Sequence, residues 1–113
     1  MTSQCFTTSR IRDLNDAFRQ RGLASGQWML TRGVADKGAE FVANAFLQVQ
    51  SFDNFTSGND PYGEHDFGSF ELAGEHLFWK IDYYDPTLSW GSDIPECAQA
   101  TSRVLTLMLA SEY

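Results

Sequence analysis

The stretch Asn59-Asp60-Pro61-Tyr62-Gly63-Glu64-His65-Asp66-Phe67-Gly68 holds the densest set of chemically capable side chains in the sequence. Glu64, His65 and Asp66 put two carboxylates and an imidazole at consecutive positions, with Asp53 and Asp60 nearby. Oxygen and imidazole donors suit a divalent metal, and a water on such a metal could hydrolyse a substrate. Consecutive residues do not aim at one point, however: on a strand Glu64 and Asp66 share a face while His65 points away. Proton transfer is the other chemical option, with Glu64, His65, Asp66, Asp82 and Asp85 converging if the loop folds over the end of a neighbouring hairpin. The simpler reading is a polar loop whose Asp and Asn side chains bond its own backbone. No Walker, GxGxxG, GxSxG, HExxH or EF-hand pattern is present. The expectation is therefore no catalytic residue, no cofactor and no metal. A small enzyme or metal protein centred on Glu64, His65 and Asp66 stands as the alternative.

The elements that must position these groups can be read from periodicity. Ser9 can cap a helix from Arg10 to Arg21, with Ile11, Leu14 and Phe18 on its buried face, Arg12, Asp16 and Arg19 opposite, and Gly22 as its stop. Residues 27–31 read as a short strand. A helix over about Ala35 to Gln50 buries Val42, Ala45, Phe46 and Val49, with Asp36 suited to its first turn. Periodicity disappears from Ser51 to Asp66, a loop that still carries Phe52, Phe55 and Tyr62. Phe67 to Leu72 and Glu75 to Tyr84 flank Ala73-Gly74 as a β-hairpin, with Phe70 opposite Leu77, Gly68 opposite Trp79 and Glu71 opposite His76. Asp85-Pro86 ends the second strand. After an irregular stretch, apolar spacing predicts a last helix over about Glu96 to Ser111. The expected fold is α+β in the order α-β-α-β-β-α, a small three-stranded, mostly antiparallel sheet packed against helices. Residues 1–9 read as a flexible tail and 10–113 as a single domain.

The chain has 113 residues and is 42% hydrophobic, enough for one core without staples. Fifteen acids against eight bases leave a formal −7, which argues against attachment to nucleic acid or an anionic membrane by a general positive field. The charge is polarised: residues 1–37 hold six bases and three acids, whereas residues 53–96 hold ten acids and only Lys80 as a base. No apolar run approaches the ~20 residues of a membrane helix, and Met1 to Phe6 form neither a basic nor an apolar leader segment, so a cytoplasmic protein is expected. Cys5 and Cys97 then read as free thiols.

The segments Ile11 to Arg19, Asn59 to Gly68, Phe78 to Asp85 and Arg103 to Ala110 resemble a family of small proteobacterial proteins known as domain of unknown function 3768. The likeness runs from about residue 10 to the end of the chain. The resemblance implies a setting rather than an activity: such genes are common on plasmids and other mobile elements of alphaproteobacteria. Small acidic proteins from that setting include anti-CRISPR and anti-restriction inhibitors, which occupy nucleic-acid sites or block assembly of a basic effector. By that analogy the chain is a non-enzymatic inhibitor whose acidic surface docks on a basic protein, such as a CRISPR effector or other nucleic-acid enzyme. The contact residues expected are Asp60, Glu64, Asp66, Asp82, Asp85 and Asp93, with Tyr84 and Trp90 near the surface as apolar anchors. Direct binding of nucleic acid or membrane is not expected, and the chain is expected to be a monomer or weak homodimer. A further alternative is a self-associating accessory protein, joined through the basic residues 1–37 and the acidic residues 53–96.

Overall fold

The computed structural model describes residues 4–113, with side chains from Thr7 onward. Helix α1 (Gln4–Arg21) and a 3-10 turn (Gly22–Ser25) lead to strand β1 (Trp28–Leu30). A single helical turn, α2 (Arg32–Ala35), and helix α3 (Ala39–Gln50) follow. The long loop then enters the hairpin of β2 (Phe67–Leu72) and β3 (Glu75–Tyr84), and the chain closes with β4 (Ser102–Leu109) and a 3-10 turn (Ala110–Glu112). The four strands form one sheet in the order β1-β4-β3-β2. β1 runs parallel to β4, and the other neighbours are antiparallel.

The fold is α+β as expected, but its sheet has four strands in mixed orientation and its element order is α-β-α-α-β-β-β. The difference lies in the segment predicted as the last helix, which is the central strand β4. A short apolar run satisfies a 3.6-residue and a 2-residue period almost equally. Burial distinguishes them: Arg103, Leu105 and Leu107 are buried at every second position on one face, the alternation of a strand, with Met108 buried on the other. The helix predicted over residues 35–50 is interrupted because Gly38 adopts φ +100 ahead of Ala39. Asp36 therefore ends α2, and Glu40 holds the first-turn position of α3.

Helix α1 differs from expectation at its start and on its faces. It begins at Gln4, so Ser9 lies inside it. Its buried face comprises Ile11, Asn15, Phe18 and Arg19, and Arg19, expected on the outer face, is 2% exposed. The helical period was correct, but polar residues at two buried positions disguised its direction. Gly22 follows the last residue of α1 with φ +61, the left-handed conformation of a helix stop.

The predicted hairpin register is the observed one, including Phe70↔Leu77, Gly68↔Trp79 and Glu71↔His76. Ala73 and Gly74 both take positive φ, as a two-residue turn matched to strand twist requires. Leu77, Trp79 and Ile81 face a core shared with Phe18, Val34, Ala45, Val49, Phe52, Leu105 and Leu107. Gly68 lies against the indole of Trp79, so closely that a Cβ there would come within 2.7 Å of Cε2. Trp79 is fully buried and has no room to turn aside. Gly68→Ala is expected to destabilise the fold by about 2 kcal/mol through this overpacking. Urea denaturation should show that loss while Gly58→Ala, at an open position, stays close to the parent.

Candidate functional site

A chain of buried polar groups ties α1 to the loop that precedes β2. Asn15 is fully buried, and each of its polar atoms is used. Its Nδ2 donates to the Glu64 carbonyl and to the Tyr83 hydroxyl, each at 2.9 Å, and its Oδ1 accepts from Arg103 Nε at 2.6 Å. The Tyr83 hydroxyl in turn donates to Glu64 Oε1 at 2.9 Å. Burial, joined by the nearby negative charges of Asp66 and Glu64, pushes the Tyr83 phenol far above its ordinary range and keeps it a donor.

Arg19, the second buried polar residue of α1, reaches the end of α3. Its Nε donates to the Val49 carbonyl and one terminal nitrogen donates to the Phe52 carbonyl and to Asp16. A cation is thereby placed against carbonyls at and just beyond the C-terminal end of α3, where the helix dipole favours it. The guanidinium also lies over Phe55 and Trp79, 5.4 and 5.2 Å from the ring centroids. Burial lowers the Arg19 pKa, opposed by the charges of Asp16 and Asp53.

His65 completes this arrangement. It has φ +57 and stacks on Phe55 with the rings 3.7 Å apart. Its Nδ1 is 2.9 Å from Asp16, its Nε2 is 3.6 Å from Asp60, and its backbone N–H donates to Asp60 Oδ1. Both ring nitrogens thus face carboxylates of the chain itself. The imidazole clamps the loop to α1 and presents neither nitrogen freely to a substrate. Among the described residues no group of three or more His, Cys, Asp or Glu side chains is placed to hold a metal ion. Glu64 and His65 engage different partners, Tyr83 and Asp16, so the Glu64-His65-Asp66 run does not form a ligand set.

The acids singled out from sequence separate into distinct environments. The Asp60 side chain is 6% exposed, Glu64 is engaged by Tyr83, and Asp66 is half-buried. Burial raises the Asp66 carboxyl pKa, and the negative charges of Glu64, Asp60 and Asp82 add to that shift, against the lowering effect of a backbone hydrogen bond. Asp82 is partly exposed and paired with Lys80 at 2.8 Å, while Asp93 is exposed. Tyr84, expected near the surface, is half-buried where it pairs with Ser102, and Trp90 is 74% exposed.

Asp85 builds the loop that carries Trp90. Its carboxylate accepts from the Thr87 hydroxyl and from the backbone N–H groups of Ser89 and Trp90. Desolvation would raise its pKa, but these bonds outweigh that effect and hold it below the usual carboxylate range. The Asp85 N–H donates to the Trp90 carbonyl, and a bridge between Tyr84 and Gly91 closes the base of the loop. Leu88 and Ile94 are exposed alongside Trp90.

Sequence reasoning missed Asn15, Asp16, Arg19, Tyr83 and Arg103 as members of one network. The only available signal was the placement of Asn15 and Arg19 four and eight residues after Ile11 on one helix face. Cys97 is a free, half-buried thiol, whereas the side chain of Cys5 lies outside those described.

The chain belongs to the family described as protein of unknown function DUF3768, which it matches over residues 30–112. Comparison with curated proteins and with solved structures finds no match.

The network generates two expectations. Asn15→Ala removes one hydrogen-bond partner each from buried Arg103 and from Tyr83 and is expected to cost about 2–4 kcal/mol, read by chemical denaturation. Asp66→Asn is expected to raise the melting temperature at neutral pH by roughly 2–4 °C. The sign follows from the raised pKa: ionised Asp66 destabilises the fold above its folded pKa, and the penalty fades as the pH falls into the carboxylate range. Melting curves should therefore show parent and Asp66→Asn converging toward acid pH.

Proposed function

We propose that this chain is a non-enzymatic binding protein that docks on a protein with a basic surface, using the loop beyond β3 as its anchor. The observation that carries this reading is Trp90, held 74% exposed on a turn that Asp85 closes with hydrogen bonds. A large aromatic on a pre-formed turn loses little conformational freedom on binding. Leu88, exposed at 49%, and Ile94, at 44%, widen the apolar contact, and Asp82 and Asp93 supply carboxylates for Lys or Arg on the partner. Asp60, Glu64 and Asp66 belong to this reading as supports for the segment before β2 and its seat on β3, and Tyr84 as a support for the base of the Trp90 loop, since each is buried, half-buried or engaged within the chain.

Charge favours the same kind of partner. Two of the eight bases, Arg19 and Arg103, are buried, so the solvent-facing surface is predominantly acidic. Nucleic-acid-processing proteins present the basic surface that such a field selects. A cytoplasmic inhibitor of host defence, of the anti-CRISPR or anti-restriction kind and carried on a mobile element, is the biological form this reading takes. No helix among the described residues is long and apolar enough to cross a membrane.

Affinity capture with the tagged parent, Trp90→Ala and Asp93→Lys, at low and high salt, tests the reading. A basic partner should be retained by the parent at low salt and released at high salt. Trp90→Ala should weaken retention by roughly 30-fold or more, a loss typical of a central aromatic anchor, and Asp93→Lys should weaken it chiefly at low salt. Equal recovery of the same proteins by all three forms would sink the docking loop, and a bait that captures nothing at either salt would sink the basic partner.

A further inference from the structure

Arg103 is 6% exposed, yet its hydrogen bonds go to neutral groups, the Asn15 side chain and the Pro95 carbonyl. No carboxylate of the described residues lies within ion-pair distance of it. Glu64 acts on it only from beyond contact distance, and the guanidinium lies over the Tyr83 ring, 5.2 Å from its centroid. A buried guanidinium with no counter-charge in contact is costly, and chains seldom retain one unless something neutralises it. Beside Arg103 lies a cavity of about 200 Å³ between the end of α1, the approach to β1 and the start of β4. Its polar lining consists of Arg21, Ser25, Gln27, Thr101, Ser102 and Arg103, with no acidic residue. Arg21, exposed in the last turn of α1, also has no ion-pair partner among the described residues.

We propose that this cavity binds a small oxyanion, either phosphate, a phosphate monoester or a carboxylate, between Arg21 and Arg103. Guanidinium groups match the planar, multi-oxygen edge of such ligands, and the hydroxyls of Ser25 and Ser102 add adjustable donors. The Thr101 hydroxyl is already committed, donating to the Ile94 carbonyl and meeting Ser92 Oγ. It positions the rim of the cavity. Leu14 and Phe18 form an apolar wall, and the volume far exceeds that of a single water, so the oxyanion can carry a small organic substituent. The bound anion supplies the contacting counter-charge that Arg103 lacks among the described residues. The site shares no residue with the loop of Trp90, so its occupancy and the docking reading stand or fall separately.

Thermal melts of the full chain at constant ionic strength test the site, with inorganic phosphate, glycerol 2-phosphate and acetate each replacing chloride. At least one of these should raise the melting temperature along a saturable curve, and the one that saturates lowest identifies the class of oxyanion. Arg21→Gln, at an exposed position with no internal ion pair, should fold like the parent and weaken the apparent affinity by about tenfold, the loss of one charge-assisted contact. Two outcomes overturn the proposal. One is the absence of a saturable rise with all three anions, since general exclusion of phosphate from the protein surface produces only a shift that does not saturate. The other is a saturable rise that Arg21→Gln leaves unchanged.

Discussion

Asn15 is the residue on which the described fold most depends. It is fully buried, and its three hydrogen bonds join α1 to the loop before β2, to β3 and to β4. A buried amide has to satisfy two donors and an acceptor, so its partners have little freedom to shift without leaving one of them orphaned. The hydrophobic core beneath supplies most of the stabilisation, but apolar packing tolerates small slides. The amide restricts them, because the Glu64 carbonyl, the Tyr83 hydroxyl and Arg103 Nε must all meet it at once.

Arg19 plays a related part at the other end of the loop. It joins α1 to the carbonyls of Val49 and Phe52, and its charge lies over two aromatic rings while remaining paired with Asp16. Asp16 serves two partners, Arg19 on its own helix and His65 in the loop. The loop from residue 51 to 66 is therefore fastened at both ends to the same helix. That explains how a segment rich in turn formers holds its aromatic residues in place, with Phe52 and Phe55 packed edge-on to Trp79.

The acidic character of the middle of the chain thus has two physical roles. Asp60, Glu64 and Asp85 act mainly inward, accepting hydrogen bonds that shape loops. Asp93 is exposed and Asp82 partly exposed, and both contribute to the field around the Trp90 loop. On the opposite charge, burial of Arg103 leaves a cation whose neutral partners define its position without cancelling it. Interior hydrogen bonding and outward-facing charge are therefore coupled: the same loops that satisfy the network also set which charged groups remain at the surface.

The amino-acid sequence by itself determined the hairpin, its register, the helix stop at Gly22 and the α+β class. Alternating apolar residues, an Ala-Gly turn and a glycine after a helix are local signals, read within a few residues. Tertiary structure decided the rest. Residues 102–109 became a strand because β1 and β3 stand on both sides of it, a fact about distant segments that no local period contains. Arg19 and Asn15 turned inward because Val49, Phe52, Tyr83 and Arg103 arrive there to satisfy them, across separations of 30 to 88 residues. Local sequence reports which conformations are cheap, whereas the burial of a polar side chain becomes tolerable only once the folded chain has delivered its partners.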